Sequence, residues 1–204
     1  MDTVVELFTG FLDSGKTTLI KAALNSPDFL DYETTLLLVC EEGEEEYDED
    51  YLSDNHIIKM VIDEEEKLNP FFLEGLELNY RPDHVMIEFN GTWDLNRVLE
   101  MQLPPGWEIA SILSTVDAGT AQMYLTNMRN LFLAPLLSSD LVIVNRTEDN
   151  TDRAKIRRSI KVMNPGAQIV FEREDGEPVE NTEEDLPFDF HAPVIEVDEI
   201  DYGI

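Results

Sequence analysis

The sequence predicts an α/β fold, a mainly parallel sheet with helices on both faces. Two observations carry this. Short apolar runs rich in β-branched residues alternate with helix-compatible stretches along most of the chain, the pattern of repeated strand and helix units. The first run, VVELF, leads into a glycine-containing turn, GFLDSGKTT, and that turn leads into a helical pattern.

Taken in order, strands are expected at Val4 to Phe8, Thr34 to Cys40, His56 to Ile62, His84 to Glu88, Ile109 to Asp117, Leu141 to Asn145 and Ala167 to Phe171. Helices fit between most of them, at Lys16 to Asn25, Asn69 to Leu78, Trp93 to Met101, Ala118 to Leu137 and Thr151 to Met163. Glu41 to Asp54 is a dense acidic run without apolar periodicity and is expected to be a mobile loop. Glu172 to Asp189, rich in acid, Pro and Gly, reads as an exposed connection. One domain is expected over residues 1–190, with 191–204 as an extension that could begin a second domain.

With 43% hydrophobic residues in a chain of 204, there is enough apolar material for one buried core. Lys and Arg total 14 against 44 Asp and Glu, a net charge of -30, which repels phosphodiester backbones and anionic membranes. Nucleic acid and membrane are therefore not expected partners. A small anion can bind only where backbone N–H groups, a lysine and a divalent cation turn the local field positive. The single cysteine, Cys40, allows no intrachain disulfide, and the acidic N-terminus lacks the positive start of a signal peptide. A cytoplasmic protein is expected.

GFLDSGKT has the full spacing of a Walker A loop. Gly10 and Gly15 let the backbone curl so that consecutive N–H groups face a β-phosphate, and the following helix adds its positive end. Lys16 would bridge the β- and γ-phosphates, and the Thr17 hydroxyl would ligate Mg²⁺. Asp13 is out of place in a phosphate cradle unless its carboxylate points outward. HVMIEFNG brings a strand to Glu88, where a second acid can hold the Mg²⁺, and then to Gly91, whose backbone can approach a γ-phosphate. In LVIVNRTE, Asn145 and Glu148 have the spacing of an N-K-x-D base-recognition motif, with Arg in place of Lys and Glu in place of Asp.

These motifs, with VCEEG, ILSTVDA and NPGAQI, occur in the order seen in CobW-like P-loop GTPases, and from about Val4 to Val170 the chain resembles that family. The family belongs to the SIMIBI type of P-loop NTPase and includes metallochaperone GTPases of urease and hydrogenase maturation. The resemblance implies GTP and Mg²⁺ as cofactors, with phosphate contacts from Ser14, Gly15, Lys16, Thr17 and Thr18. Glu41 matches the acid of the family's N-E-F-G segment, and Glu88, Gly91 and Asp94 match its E-x-x-G-L-A-D segment. Asp117 matches the V-D-A aspartate and joins Thr17 and Glu88 as an expected metal residue. Lys16, Glu41 and Glu88 are the expected catalytic residues, with Glu41 and Glu88 both candidates to position the attacking water. A link to metal homeostasis or metallocofactor assembly, a client metalloprotein and a nucleotide-dependent homodimer also come only from the resemblance.

The family's C-x-C-C motif has no counterpart in NHIIKMVIDEEEKLN, which argues against thiolate handling of zinc or cobalt. Two other functions use the same loop: a small-molecule kinase or ATPase, for which Arg153, Arg157 and Arg158 are the nearest arginine cluster, and a module that holds nucleotide without hydrolysing it.

Overall fold

The computed structural model describes residues 2–26, 32–41, 43, 46–127 and 129–179. Among these, one sheet contains β1 (Thr3–Gly10), β2 (Thr35–Val39), β3 (Ile57–Val61), β4 (His84–Glu88), β5 (Trp107–Asp117), β6 (Leu141–Asn145) and β7 (Gln168–Phe171). The order is β3-β2-β4-β1-β5-β6-β7, and every neighbouring pair is parallel. The α/β expectation therefore holds, and the sheet is parallel throughout.

The helices are α1 (Lys16–Leu24), α2 (Glu49–Asp54), α3 (Pro70–Tyr80), α4 (Leu95–Leu99), α5 (Ala118–Asn127), α6 (Arg129–Ser138) and α7 (Arg153–Met163). Successive strand residues point to opposite faces, so each strand feeds two cores. Leu36 and Leu38 of β2 pack with Leu73, Leu76 and Val98 of α3 and α4, while Leu37 and Val39 pack with Ile20, Leu24 and Leu52 of α1 and α2. Val142 and Val144 of β6 meet Ala121, Leu136, Ile156 and Ile160 of the last three helices. β2 and β4 are buried along their whole length, which is why they read as continuous apolar runs. His84 is a core residue: its Nε2 lies 3.2 Å from Glu6 Oε2, and Ser111 donates to Glu6 Oε1 at 3.2 Å.

One expectation is corrected. The acidic run is not loop throughout, because Asp48 caps α2 by accepting from the Asp50 and Tyr51 N–H groups at 3.0 and 3.2 Å. Glu49 and Asp50 suit the positive end of that helix, and buried Tyr47 and Leu52 anchor it to the core. The helix expected over Ala118 to Leu137 is met by α5 and α6, described on either side of residue 128, with Pro135 inside α6. Residues 180–204, which include the expected extension 191–204, lie outside the described residues.

β1 lies at the centre, between β4 and β5. From β1 the chain runs first to one side of the sheet and later to the other, so the carboxyl end of β1 is a topological switch point, where parallel α/β sheets bind ligands.

Candidate nucleotide-binding site

The turn after β1 is shaped by three close approaches that need glycine. Gly15 has φ 95°, and a Cβ there would lie 2.4 Å from Asn145 Nδ2. Gly10 has φ 142°, and its Cβ would meet Ser14 Oγ and the Thr115 carbonyl at 2.6 Å. Gly91, entering from β4, would place a Cβ 2.2 Å from the Gly10 carbonyl oxygen. The turn is therefore clamped between the ends of β4, β5 and β6. Ser14 and Thr115 hydroxyls lie 2.7 Å apart, adding a lock from β5. Asp13 stands at φ 58°, a left-handed position that glycine adopts more easily, and its side chain is exposed.

Lys16 begins α1 and is buried. Its ammonium donates to the Gly10 and Phe11 carbonyls at 3.1 and 2.8 Å and pairs with Glu41, which follows β2. Beside it the Thr17 hydroxyl donates to Glu88 Oε1 at 2.5 Å, and the Tyr47 hydroxyl donates to Glu88 Oε2 at 2.7 Å. Burial pushes the Glu88 carboxyl above its ordinary range, against the lowering effect of the Thr17 and Tyr47 hydrogen bonds and of Lys16. A cleft of about 170 Å³ is lined by Asp13, Gly15, Lys16, Thr17, Thr18, Glu41, Gly43, Glu88 and Arg146 among others. This one cleft thus gathers most of the phosphate and metal residues expected from sequence.

The end of β6 braces the other side of the turn. Asn145 donates its Nδ2 to the Ser14 carbonyl at 2.6 Å, while its Oδ1 is buried without a hydrogen-bond partner among the described residues. Arg146 donates to the Asp13 carbonyl at 2.8 Å and to Asp117 Oδ2 at 2.7 Å. Asp117 also accepts from the Thr120 N–H at 3.0 Å, which places it at the start of α5 and against Arg146 rather than with Thr17 and Glu88. Asp94 caps α4 through the Asn96 N–H at 3.1 Å. Glu148 is exposed and lines a separate cleft of about 760 Å³ with Thr147, Asp149, Asn150 and the turn from Arg173 to Asp175. Arg157 sits over the Phe171 ring at 5.2 Å, on α7.

Sequence reasoning missed Tyr47 and gave Arg146 no structural role. Tyr47 is hidden among carboxylates, and nothing in its spacing points to Glu88. Arg146 did carry a signal, since it occupies the Lys position of N-K-x-D. Among the described residues, no group of three or more His, Cys, Asp or Glu side chains is arranged to hold a metal ion. The Thr17 and Glu88 oxygens nevertheless fit a hard cation that keeps most of its own waters, which needs only one or two protein oxygens beside phosphate.

The parallel sheet, the glycine-shaped turn at its switch point and the buried lysine define a P-loop nucleotide-binding protein. The family described as CobW/HypB/UreG, nucleotide-binding domain, matches residues 4–171, and the chain belongs to it. No curated protein matches the chain in sequence. Among solved structures, Zn(II)-bound YjiA GTPase from E. coli is similar at 20% identity and TM-score 0.61, over 83% of this chain and 57% of that one. A Zn(II)-bound triple mutant of YjiA is similar at 20% identity and TM-score 0.63, over 88% and 60%. The hydrogenase maturation factor HypB from Archaeoglobus fulgidus is similar at 16% identity and TM-score 0.55, over 86% and 84%. The chain spans less than two thirds of the YjiA chains it matches. No helix among the described residues is long and apolar enough to cross a membrane.

Proposed function

We propose that this protein binds GTP with Mg²⁺ and hydrolyses it. The observation that carries the reading is the buried cluster at the P-loop, in which Lys16 and the Thr17 and Glu88 pair meet the ends of β1, β2 and β4. The turn would wrap the β-phosphate with its N–H groups, and Lys16 would leave Glu41 to bridge β- and γ-oxygens. Thr17 and Glu88 would hold Mg²⁺, which offsets negative charge on the phosphates when bound. Water attacks the γ-phosphorus, a P–O bond to the β-phosphate breaks, and GDP and inorganic phosphate leave.

Both Glu88 oxygens are engaged by hydroxyls, which supports giving Glu88 the metal and Glu41 the task of orienting the water. In the same reading Asp117 acts through Arg146, holding the P-loop backbone rather than touching metal. Asn145 and Glu148 select the base. Nearby Gly43 and residues 46–48 ahead of α2 would rearrange when γ-phosphate is present, which is the output a switch protein offers a client. We place the protein in the cytoplasm, with metal homeostasis or metallocofactor assembly as the wider role and a client metalloprotein and a nucleotide-dependent homodimer as partners. The similarity to a Zn(II)-bound GTPase and to a hydrogenase maturation factor supports that wider role.

Phosphate release with GTP and with ATP, with and without Mg²⁺, tests the reading. Mg²⁺-dependent release from GTP that is lost in Lys16→Ala is expected. Release that ignores Lys16→Ala, or binding without release, would overturn the hydrolase assignment.

A further inference from the structure

The cleft beyond Asn145 contains a cation that base recognition by Asn145 and Glu148 does not use. Among the described residues lining it, Glu148, Asp149, Glu174 and Asp175 are acids and Arg173 is the basic side chain. At about 760 Å³ the cleft lies within the roughly 300–1,000 Å³ range of small-molecule sites.

Arg173 is firmly mounted. The Thr147 N–H donates to the Glu172 carbonyl at 2.8 Å and the Glu172 N–H to the Val144 carbonyl at 2.9 Å, so the backbone just before Arg173 is tied to the turn that carries Asn145 and Glu148. A tight turn follows, with the Gly176 N–H donating to the Arg173 carbonyl at 3.1 Å. Arg173 Nη2 donates to Asp149 Oδ1 at 3.0 Å, which holds the guanidinium beside the Glu148 loop and leaves the rest of its five N–H groups for other acceptors.

We propose that Arg173 is a specificity-determining residue for the nucleotide base, donating to the purine 6-carbonyl oxygen while Glu148 accepts from N1–H and the 2-amino group. The proposal rests on the GTP reading above and adds a second selective group to it. Guanine presents an acceptor at C6 and donors at N1 and C2, which a cation and a carboxylate side by side complement. Adenine reverses the first two: its 6-amino group faces the guanidinium and its N1 lone pair faces the carboxylate. A cation here also offsets four carboxylates that would otherwise crowd an electron-rich carbonyl.

The test is a competition titration against a fluorescent GTP analogue, using GTP, ATP, inosine triphosphate and 6-thioguanosine triphosphate. Inosine keeps the 6-oxygen and N1–H but lacks the 2-amino group. The thio compound keeps both donors and replaces the oxygen with a weak acceptor. The wild-type protein should favour GTP over the thio compound by about tenfold, the scale of one charge-assisted hydrogen bond. Arg173→Ala should bring that ratio close to one and keep the preference for GTP over inosine triphosphate, whereas Glu148→Gln should do the reverse. Asp149→Asn, which breaks the ion pair but keeps the guanidinium, should retain the thio discrimination. If Arg173→Ala leaves the thio ratio unchanged, weakens all four nucleotides equally, or is reproduced by Asp149→Asn, Arg173 does not read the base. Equal binding of all four nucleotides by the wild-type protein would instead overturn the base-site reading itself, and the inference with it.

Discussion

The Tyr47 hydroxyl donates to Glu88 Oε2 at 2.7 Å, joining a buried aromatic side chain of the acidic segment to the acid at the end of β4. Because Thr17 occupies the other oxygen of Glu88, Tyr47 lies two hydrogen bonds from the P-loop. Tyr47→Phe keeps the packed ring and removes the donor, leaving a buried carboxylate oxygen short of a partner. A stability loss of about 1–3 kcal/mol is expected, together with a several-fold higher Mg²⁺ concentration for half-maximal GTP binding. Thermal denaturation and a Mg²⁺ titration check both, and an unchanged Mg²⁺ midpoint would detach Tyr47 from the site.

Glu41 pairs with Lys16 where γ-phosphate would bind, so it competes with the nucleotide for the lysine. Glu41→Gln weakens that competition and also weakens the orientation of water. Nucleotide affinity should rise several-fold while kcat falls by roughly tenfold or more, a split that separates it from Lys16→Ala, in which both fall. Equilibrium titration and single-turnover hydrolysis read the two effects separately, and a higher kcat would exclude Glu41 as the orienting acid.

Strand positions were legible because both faces of this sheet are covered. Runs such as TLLLV have one reading once helices flank them, and the P-loop could be placed because its glycines are demanded by backbone contacts. The acidic segment misled for a physical reason: charge density suggested disorder, but Asp48 is a helix cap and Tyr47 and Leu52 are core residues. Arg146 holding both the Asp13 carbonyl and Asp117 depends on strands adjacent in space, β5 and β6, and no local pattern reports that pairing.

Two glycines should respond in opposite ways to alanine. Gly75 lies inside α3, and an added Cβ would meet nothing within 4 Å, so Gly75→Ala should stabilise the protein by about 0.5–1 kcal/mol. Gly91→Ala forces a Cβ to 2.2 Å from the Gly10 carbonyl oxygen and should distort the P-loop, lowering both stability and nucleotide affinity. Denaturant midpoints compared at equal m-value decide the first, and nucleotide titration the second.

Cys40 is buried, and burial together with the charges of Glu88 and Glu41 pushes its thiol up to about 12. The thiolate, which is the reactive form, is therefore scarce at any ordinary pH. Ellman's reagent at pH 8 should label the native protein far more slowly than the unfolded protein, with the full single equivalent appearing only in denaturant. Rapid stoichiometric labelling of native protein would show that the end of β2 opens easily.

Glu88 and Asp117 should give opposite pH dependences. Burial raises the Glu88 carboxyl above its unfolded value, so between the two values the folded state binds more protons than the unfolded state. Its contribution to stability is then full below the unfolded value, about 4.3, and is lost as pH rises through the folded value. Burial alone would also raise Asp117, but the Arg146 hydrogen bond, the Thr120 N–H and the Arg146 charge outweigh it and lower the carboxyl. Its contribution is present above the unfolded value, about 3.9, and is lost as pH falls through the folded value. Stability measured against pH for the wild-type protein, Glu88→Gln and Asp117→Asn isolates each group by difference. The wild-type protein should lose stability relative to Glu88→Gln as pH rises above about 4.3, and should lose stability relative to Asp117→Asn as pH falls below about 3.9. Since Mg²⁺ needs the charged form of Glu88, binding of Mg²⁺ with GTP should release protons in the acidic range, read by calorimetry in buffers of different ionisation enthalpy. No proton release from the wild-type protein, or the same release from Glu88→Gln, would take the metal away from Glu88.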